Sequence, residues 1–283
     1  MTRFLGGIEV AIHSAAQVGE GPTLDPRTGQ LIWVDLTEGK LIESDLTSGQ
    51  SRETSVGRTL GAAVARAHEP GFAVAVAEGF GYVVDGRFSL VDTALHSPQF
   101  RMNDAKCDAR GRLWAGSTQV DFEEARGVLH RWDGSSPSSK VASGFTLPNG
   151  LGWDGGNTVM YVNDSVRRVT LRAAFDLDAG TVAPFETGFA IAGGLPDGLA
   201  VDVDGCVWIA VWGGAEVRRY NPEGVIDTIV PIPVSQPSSC CFGSGGILYI
   251  TTAAAGTAAE PLAGSVFAIQ THTEGVEIAS FAA

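Results

Sequence analysis

The sequence predicts an all-β protein, a six-bladed β-propeller, from two repeated patterns. In the first, a turn glycine is followed closely by an apolar pair, and this pattern occurs at Gly29, Gly71, Gly111, Gly156, Gly205 and Gly246. Successive glycines lie 42, 40, 45, 49 and 41 residues apart, a spacing typical of a blade of four short strands. The second pattern is a six-residue phrase that ends in aspartate and begins at Glu20, Asn103, Asn149 and Asp197.

Local sequence favours strands over helices. Three segments are short, rich in β-branched or aromatic residues and bounded by turn formers: Leu31 to Asp35, Val201 to Trp208 and Val217 to Tyr220. Turn pairs are predicted to reverse neighbouring strands at Asp133 and Gly134, at Asp204 and Gly205, and at Glu223 and Gly224. No sustained apolar period near 3.6 residues, which would indicate a helix, is present.

The repeats run through the chain without a linker, which predicts a single propeller domain over residues 1–283. Two strand-like segments lie outside the six copies, Ile8 to Ile12 near the start and Val276 to Phe281 near the end. We expect these two segments to close the ring together, because the edges of a propeller need protection. The Ser-rich stretch from Gly134 to Ser139 is expected to be a surface loop.

Composition restricts the partners and the location of the protein. The 19 Lys and Arg residues against 32 Asp and Glu give a net charge of −13, which repels phosphate backbones and anionic lipids and argues against nucleic-acid or membrane binding. No apolar run reaches the roughly 18 residues of a membrane span, and the start lacks the apolar core of a signal peptide. The sequence therefore predicts a cytoplasmic protein.

The four cysteines and five histidines show no recognised metal or nucleophile spacing. We expect the cysteines to be small buried apolar residues.

The recurrent phrase indicates a candidate site. Its first residue lies 7 to 9 residues before the turn glycine of its repeat, so Glu20, Asn103, Asn149 and Asp197 occupy one structural position in four blades. If that position begins the innermost strand, all four side chains point at the central channel. Such an oxygen-only set suits Ca²⁺, Mg²⁺ or Mn²⁺, and carboxylates also bind Zn²⁺. The alternative is that these are ordinary turn residues, since Asn-Gly and Asp-Gly are common turn pairs.

Five motifs together resemble one known family. They are Gly19 to Pro22, Arg101 to Asp104, Leu147 to Gly150, Leu195 to Gly198 and Leu248 to Thr252. The chain is similar over nearly its whole length to the senescence-marker-protein/gluconolactonase family of regucalcin-like sugar lactonases. The resemblance implies a six-bladed propeller with one catalytic divalent metal ion in the central channel.

The resemblance also implies roles for individual residues. Glu20, Asn149 and Asp197 correspond to the metal ligands of the family, and Arg101 and Asn103 correspond to its substrate contacts.

A third substrate contact is expected in the third repeat. Where the family has a glutamate, an ungapped count reaches Asp121, with Glu123 and Glu124 close behind. The loop from Thr118 to Arg126 departs from the pattern of the familiar lactonases, so the resemblance indicates the chemistry more firmly than the substrate.

The expected function is metal-dependent hydrolysis of a small-molecule sugar lactone. One divalent ion, Ca²⁺, Zn²⁺, Mg²⁺ or Mn²⁺, would polarise the ester carbonyl and lower the pKa of a bound water. Asp197 is the expected general base, and Asp104 is a rival for that role. The sequence does not indicate an oligomeric state.

Two other functions remain open at this point. The same metal site could hydrolyse an aryl ester or a phosphotriester. A non-catalytic, calcium-binding regulatory propeller would keep the three metal ligands but would not need Arg101 and Asn103. A protein-binding scaffold of the WD-repeat type is disfavoured, because its Trp-Asp and Gly-His signatures are missing.

Overall fold

A computed structural model describes residues 2–257 and 259–283 of the chain. Two short strands, β1 (Arg3–Phe4) and β2 (Glu9–Ile12), precede the first blade. The first blade contains β3 (Gly19–Leu24), β4 (Leu31–Asp35), β5 (Lys40–Ser44) and β6 (Ser51–Ser55). The second contains β7 (Leu60–Ala65), β8 (Phe72–Val76), β9 (Gly79–Val84) and β10 (Arg87–Thr93). The third contains β11 (Phe100–Cys107), β12 (Leu113–Gln119), β13 (Gly127–Trp132) and β14 (Ser139–Phe145).

The second half of the chain continues the series. The fourth blade contains β15 (Pro148–Trp153), β16 (Val159–Asp164), β17 (Val169–Asp176), β18 (Thr181–Val182) and β19 (Glu186–Ala190). The fifth contains β20 (Leu195–Val201), β21 (Val207–Trp212), β22 (Glu216–Tyr220) and β23 (Ile226–Pro231). The sixth contains β24 (Pro237–Phe242), a 3₁₀ turn (Ser244–Gly246), β25 (Ile247–Thr252) and β26 (Val266–Gln270).

These strands form six antiparallel sheets arranged as a six-bladed β-propeller, as the sequence predicted. In the fourth blade, β18 and β19 both pair with β17, and in the fifth blade β1 adds a parallel edge strand to β23. The first strand of each blade contacts the first strands of its neighbours, which closes an inner ring of β3, β7, β11, β15, β20 and β24. Among the described residues, no helix has the length and apolar character needed to cross a membrane.

Ring closure differs from the expectation for the C-terminal segment. The N-terminal strand β2 does pair with β26 and completes the sixth blade. Residues 276–281 do not pair with the sixth blade, because β2 already occupies the free edge of β26. They cross the ends of the inner strands instead, where Val276 N donates to the Val201 carbonyl at 2.8 Å and Phe281 N to that of Ala65 at 2.9 Å. The prediction that both segments close the ring together is therefore wrong.

One predicted strand is also interrupted. The segment from Val201 to Trp208 contains a tight turn between β20 and β21, because Asp202 Oδ1 accepts hydrogen bonds from Asp204 N at 3.0 Å and Cys206 N at 2.9 Å. By contrast, Leu31 to Asp35 is β4 as predicted.

The core lies between the faces of adjacent blades. Trp114 of the third blade packs against Trp153 of the fourth, with ring centroids 6.1 Å apart, and Trp208 of the fifth packs with Ile250 of the sixth. All four cysteines are buried and free, which confirms their expected place in the apolar core.

Candidate functional site

The candidate residues lie in local irregularities of the inner strands. Each inner strand loses its regular register with the second strand of its blade at the same level, for example between Glu20 and Thr23 and between Pro196 and Leu199. The same shift occurs in the other four blades. A bulge of this kind redirects a side chain and is common next to functional sites. The alternative that these residues form ordinary turns is wrong, because they lie within strands.

The glycines that follow these residues have a packing role. A Cβ atom on Gly198 would lie 1.9 Å from Ser239 Oγ, and one on Gly150 would lie 2.4 Å from the backbone oxygen of Asp197. Both distances are shorter than van der Waals contact. Glycine therefore lets neighbouring inner strands approach closely where the irregularity occurs.

The four first residues of the recurrent phrase line one cavity of about 300 Å³ in the channel. Glu20 is 5% exposed, Asn103 4%, Asn149 7% and Asp197 5%, and Arg101 lines the same cavity. The other lining residues are Val18, Leu36, Thr37, Phe122, Leu147, Ser165, Leu195 and Trp212. The structure thus brings five of the predicted site residues together.

The sixth predicted site residue lies elsewhere. Asp121 is exposed and does not line the cavity, whereas the next residue, Phe122, does. Phe122 has a positive φ of 57°, so the chain turns sharply here and adjacent side chains diverge. The ungapped count that reached Asp121 could not anticipate this turn. The rival base Asp104 is 4% exposed and is also absent from the cavity lining.

Three carboxyl groups, those of Glu20, Asp104 and Asp197, are buried at the channel, and each has a raised pKa. Burial, followed by the charges of Asp197 and Asp104, raises the pKa of Glu20 well above its ordinary value. Burial and the charge of Asp104 do the same to the pKa of Asp197. Burial also raises the pKa of Asp104 to about 6, although the Lys106 ammonium opposes this shift. A cation bound among these groups would offset both the desolvation and the mutual repulsion.

Two oxygen atoms in the cavity wall are suited to such a cation. Asn149 Oδ1 and Asp197 Oδ1 are buried and have no hydrogen-bond partner among the described residues. Leaving such atoms unpaired is costly. With the Glu20 carboxylate they form an all-oxygen donor set of the kind that hard divalent cations prefer. The described residues contain no cluster of three or more His, Cys, Asp or Glu side chains that could hold a metal, so the amide of Asn149 is needed to complete the set.

Hydrogen bonds from the fourth blade position two of these residues. Ser165 Oγ donates to the Pro196 carbonyl at 2.6 Å and lies 3.2 Å from Asn149 Nδ2. Asn163 Nδ2 donates to the carbonyl oxygen of Asp197 at 2.6 Å. Sequence reasoning missed Ser165 and Asn163, because they lie outside the recurrent phrase. Asn163 is the last residue but one of β16, and Ser165 follows that strand. Their only signal is a run of three polar residues, Asn163, Asp164 and Ser165, at the end of an otherwise apolar strand.

A second set of hydrogen bonds fixes the positions of the two candidate substrate-binding residues, Arg101 and Asn103. Arg101 Nη1 donates to Asn103 Oδ1 at 2.6 Å and to the Met102 carbonyl at 3.1 Å. Asn103 Nδ2 donates to the Pro148 carbonyl of the next blade at 3.1 Å. Arg101 is thereby held at the cavity with other N–H groups of its guanidinium left for a ligand. Burial lowers the pKa of Arg101, and the negative charges of Glu20 and Asp197 partly offset this decrease.

Comparison with known proteins gives a consistent result. Residues 18–254 match the model of the SMP-30/gluconolactonase/LRE-like region. The chain is 31% identical over 280 residues to an L-arabinolactonase from Azospirillum brasilense, covering 94% of this chain and 92% of that protein. It is 29% identical over 268 residues to regucalcin from Danio rerio, covering 90% of each.

Solved structures agree on the fold. A calcium-binding protein, regucalcin, from Agrobacterium tumefaciens superimposes with a TM-score of 0.90 at 23% identity, covering 99% of this chain and 98% of that one. The family match covers most of the chain and extends through all four copies of the recurrent phrase. The chain therefore belongs to the SMP-30/gluconolactonase/LRE-like family.

Proposed function

We infer that the protein is a metal-dependent hydrolase that opens the ring ester of a sugar lactone. One divalent ion, Ca²⁺, Zn²⁺, Mg²⁺ or Mn²⁺, would be held by Glu20, Asn149 and Asp197. The observation that carries this proposal is the pair of buried, unpartnered oxygens, Asn149 Oδ1 and Asp197 Oδ1, in the same cavity as Glu20. The similarity to an L-arabinolactonase supports the reaction, and the similarity to a calcium-binding regucalcin supports a divalent ion.

The bound metal ion and the cavity residues would have different roles in hydrolysis. When bound, the metal ion would polarise the ester carbonyl and acidify a water molecule. Arg101 would orient the substrate, because its guanidinium offers several N–H donors in a fixed plane. Its hydrogen bond to Asn103 Oδ1 fixes the direction of that plane.

Asp197 would accept the proton of the water that attacks the carbonyl carbon. It would return this proton to the ring oxygen as the bond between the carbonyl carbon and the ring oxygen breaks, so that the ring oxygen leaves as a hydroxyl group. Asp197 lines the cavity and Asp104 does not, which favours Asp197 over Asp104 in this role. Asp104 would act through the charge that it places beside Asp197.

One other activity has structural support. Phe122 and Trp212 line the cavity, and aromatic side chains can stack against an aryl leaving group. An aryl-ester hydrolase on the same metal site is therefore the second candidate, and a phosphotriester would use the same site. A non-catalytic calcium-binding propeller is the remaining alternative.

A substrate and metal screen separates these functions. Purified protein is stripped with a chelator, reloaded with each of the four metals and assayed on aldonolactones, aryl esters and organophosphates. We expect hydrolysis of a lactone that is lost on chelation and restored by metal. Full activity in protein shown by elemental analysis to be metal-free would refute the mechanism, and metal binding without any hydrolysis would favour the regulatory alternative.

A charge-removing substitution tests the ligand assignment. Asp197→Asn preserves the size of the side chain but removes its charge, so we expect at least a hundredfold loss of kcat/KM and weaker metal binding with the fold retained. Asp178→Asn is a matched control, because Asp178 is an exposed surface residue that pairs with Arg110. Wild-type turnover and metal content in Asp197→Asn would show that Asp197 is not a ligand.

A further inference from the structure

Most of the cavity wall away from the candidate metal ligands is apolar. Six apolar side chains from the first, third, fourth and fifth blades and their connections line it: Val18, Leu36, Phe122, Leu147, Leu195 and Trp212. Two of the six are aromatic, and they come from the third and the fifth blade. A wall of this composition favours contact with carbon rather than with hydroxyl groups.

The remaining polar side chains of the wall are already hydrogen-bonded within the protein. Thr37 Oγ1 donates to Asp35 Oδ1 at 3.3 Å, and Ser165 Oγ donates to the Pro196 carbonyl at 2.6 Å. Asn103 uses its oxygen for Arg101 and its amide nitrogen for the Pro148 carbonyl. The hydroxyl donors of Thr37 and Ser165 are therefore used within the protein, and a lactone with several hydroxyl groups would find its main free side-chain donor at Arg101. A hydroxyl group that leaves water without a new partner weakens binding.

Phe122 is held over this cavity by a constrained loop. Its φ of 57° lies in the left-handed region, which a bulky residue rarely adopts. Two hydrogen bonds anchor the loop, from Phe122 N to the Gln119 carbonyl at 3.0 Å and from Ala125 N to Thr146 Oγ1 at 3.3 Å. The Phe122 side chain is 41% exposed, so packing within the protein does not account for its placement. Of the non-glycine residues with positive φ among the described residues, Phe122 is the one that lines the cavity.

We propose that the substrate is a lactone in which the carbon bearing the ring oxygen carries an apolar substituent. This inference rests on the lactone hydrolysis of the proposed function, and it specifies a lactone with an alkyl, aryl or deoxy group where a fully hydroxylated sugar lactone carries a polar one. The ring ester would lie beside Arg101 and the candidate metal ligands. The apolar substituent would contact Phe122 and Trp212, where each methylene group removed from water strengthens binding by roughly fourfold.

A matched substrate series tests the proposal on the metal-loaded wild-type protein. The series contains δ-valerolactone, its 5-methyl to 5-butyl derivatives, δ-gluconolactone and the 6-deoxy analogue of δ-gluconolactone. We expect kcat/KM to rise about fourfold for each added methylene until the cavity is filled. We also expect the deoxy lactone to exceed δ-gluconolactone, and the butyl derivative to exceed it by at least tenfold.

Substitutions in the wall test which residues set this preference. Phe122→Asn removes the ring and suits the left-handed backbone, because Asn adopts positive φ more readily than other non-glycine residues. We expect it to lower kcat/KM at least tenfold on the butyl derivative and less than threefold on δ-valerolactone. Trp212→Gln should change selectivity in the same direction. Val120→Asn is the matched control, because Val120 belongs to the same loop, is 51% exposed and lies outside the cavity lining.

The outcomes separate this inference from the proposed function. Hydrolysis that favours δ-gluconolactone, or an equal loss on all lactones in Phe122→Asn, would overturn the inference and leave lactone hydrolysis intact. If none of the lactones is opened with any of the four metals, the proposed function fails and the inference fails with it. Unchanged thermal unfolding of Phe122→Asn and Val120→Asn would show that a selectivity change does not arise from misfolding.

Discussion

Ser165 holds the amide of Asn149 in one orientation in the wall of the channel cavity. Ser165 Oγ donates its hydrogen to the Pro196 carbonyl at 2.6 Å, so the 3.2 Å contact with Asn149 Nδ2 is one in which the amide donates. The carbonyl end, Asn149 Oδ1, is then left in the cavity wall without a partner. A serine that directs an amide oxygen in this way is a supporting residue for a metal ligand.

The first prediction follows from this contact. Ser165→Ala removes the group that orients Asn149, and we expect the affinity for the divalent ion to fall about tenfold to a hundredfold, as is usual when a hydrogen bond to a metal ligand is lost. Competition with a fluorescent chelator measures this affinity. Ser44→Ala is the control, because Ser44 is fully buried and hydrogen-bonded to Ser51 in the first blade, away from the cavity. Equal metal affinity in Ser165→Ala and wild-type protein would contradict the positioning role.

The second prediction concerns the glycine after Asp197. In Gly198→Ala the new Cβ would lie 1.9 Å from Ser239 Oγ and 2.6 Å from Ser239 Cα, so the inner strands of the fifth and sixth blades must separate. We expect a loss of about 1–3 kcal/mol in the free energy of unfolding, as for other overpacked sites. Because Asp197 is the adjacent residue, we also expect kcat/KM to fall at least tenfold.

Gly155→Ala provides the comparison for Gly198→Ala. A Cβ on Gly155 would meet only Val276 Cγ2, at an ordinary distance of 3.8 Å. Urea denaturation and steady-state kinetics on both variants test the prediction. If the two substitutions have the same small effect, the close approach at Gly198 does not constrain the site.

The repeat pattern was sufficient to predict the fold and the convergence of four polar positions. The six turn glycines each precede the second strand of a blade, because the same turn recurs where the inner strand reverses. The aspartates that end the recurrent phrase have a structural role. Asp108 and Asp202 each accept a hydrogen bond from a tryptophan Nε1 at 2.8 Å, from Trp114 and Trp208 respectively. Each bond connects the turn after the inner strand to a tryptophan of the second strand of the same blade.

The repeat pattern could not predict the structure of segments that lie outside the repeats. Phe122 lies in a loop that belongs to one blade only, and its positive φ has no glycine or asparagine to indicate it. The crossing of residues 276–281 under the inner strands depends on which free backbone groups remain after β2 completes the sixth blade. Both features are set by tertiary contacts, and a single sequence does not reveal them.

The third prediction is a pH dependence caused by His130. This residue is fully buried and lies 2.9 Å from Ser117 Oγ through Nε2, while Nδ1 has no partner among the described residues. Burial, with a further contribution from the Lys140 charge, lowers the pKa of His130 to about 4 from 6.5. The unfolded chain therefore binds this proton between pH 6.5 and 4 while the folded protein does not, so stability falls as the pH falls through this window.

His130→Gln removes this titration while keeping a group that can hydrogen-bond to Ser117. The expected loss from His130 on acidification from pH 7 to 4 is on the order of 3 kcal/mol. The difference in unfolding free energy between wild type and His130→Gln isolates this effect, since all carboxyl groups are common to both. We expect that difference to change with pH between 6.5 and 4 and to be flat above pH 7. A constant difference across the whole range would contradict a buried neutral imidazole.

The fourth prediction concerns the C-terminal segment. Phe281 is fully buried and stacks on Trp132 of the third blade, with ring centroids 4.9 Å apart and an interplanar angle of 18°. Its backbone N donates to the Ala65 carbonyl of the second blade at 2.9 Å. One residue thus connects the end of the inner strand in the second blade to the third strand of the third blade. The candidate metal ligands lie near the beginnings of their inner strands.

Phe281→Ala should therefore reduce stability without altering the site. Removing a buried aromatic side chain costs about 3–5 kcal/mol, and we expect a loss of that size in urea denaturation. Phe4→Ala is the control, because Phe4 is 68% exposed, and its substitution should change the unfolding free energy by less than about 0.5 kcal/mol. The kcat/KM of folded Phe281→Ala should stay within about twofold of wild type, since the inner strands keep their register through pairing within each blade. A large loss of metal affinity in folded Phe281→Ala would instead indicate that the C-terminal crossing also sets the geometry of the channel cavity.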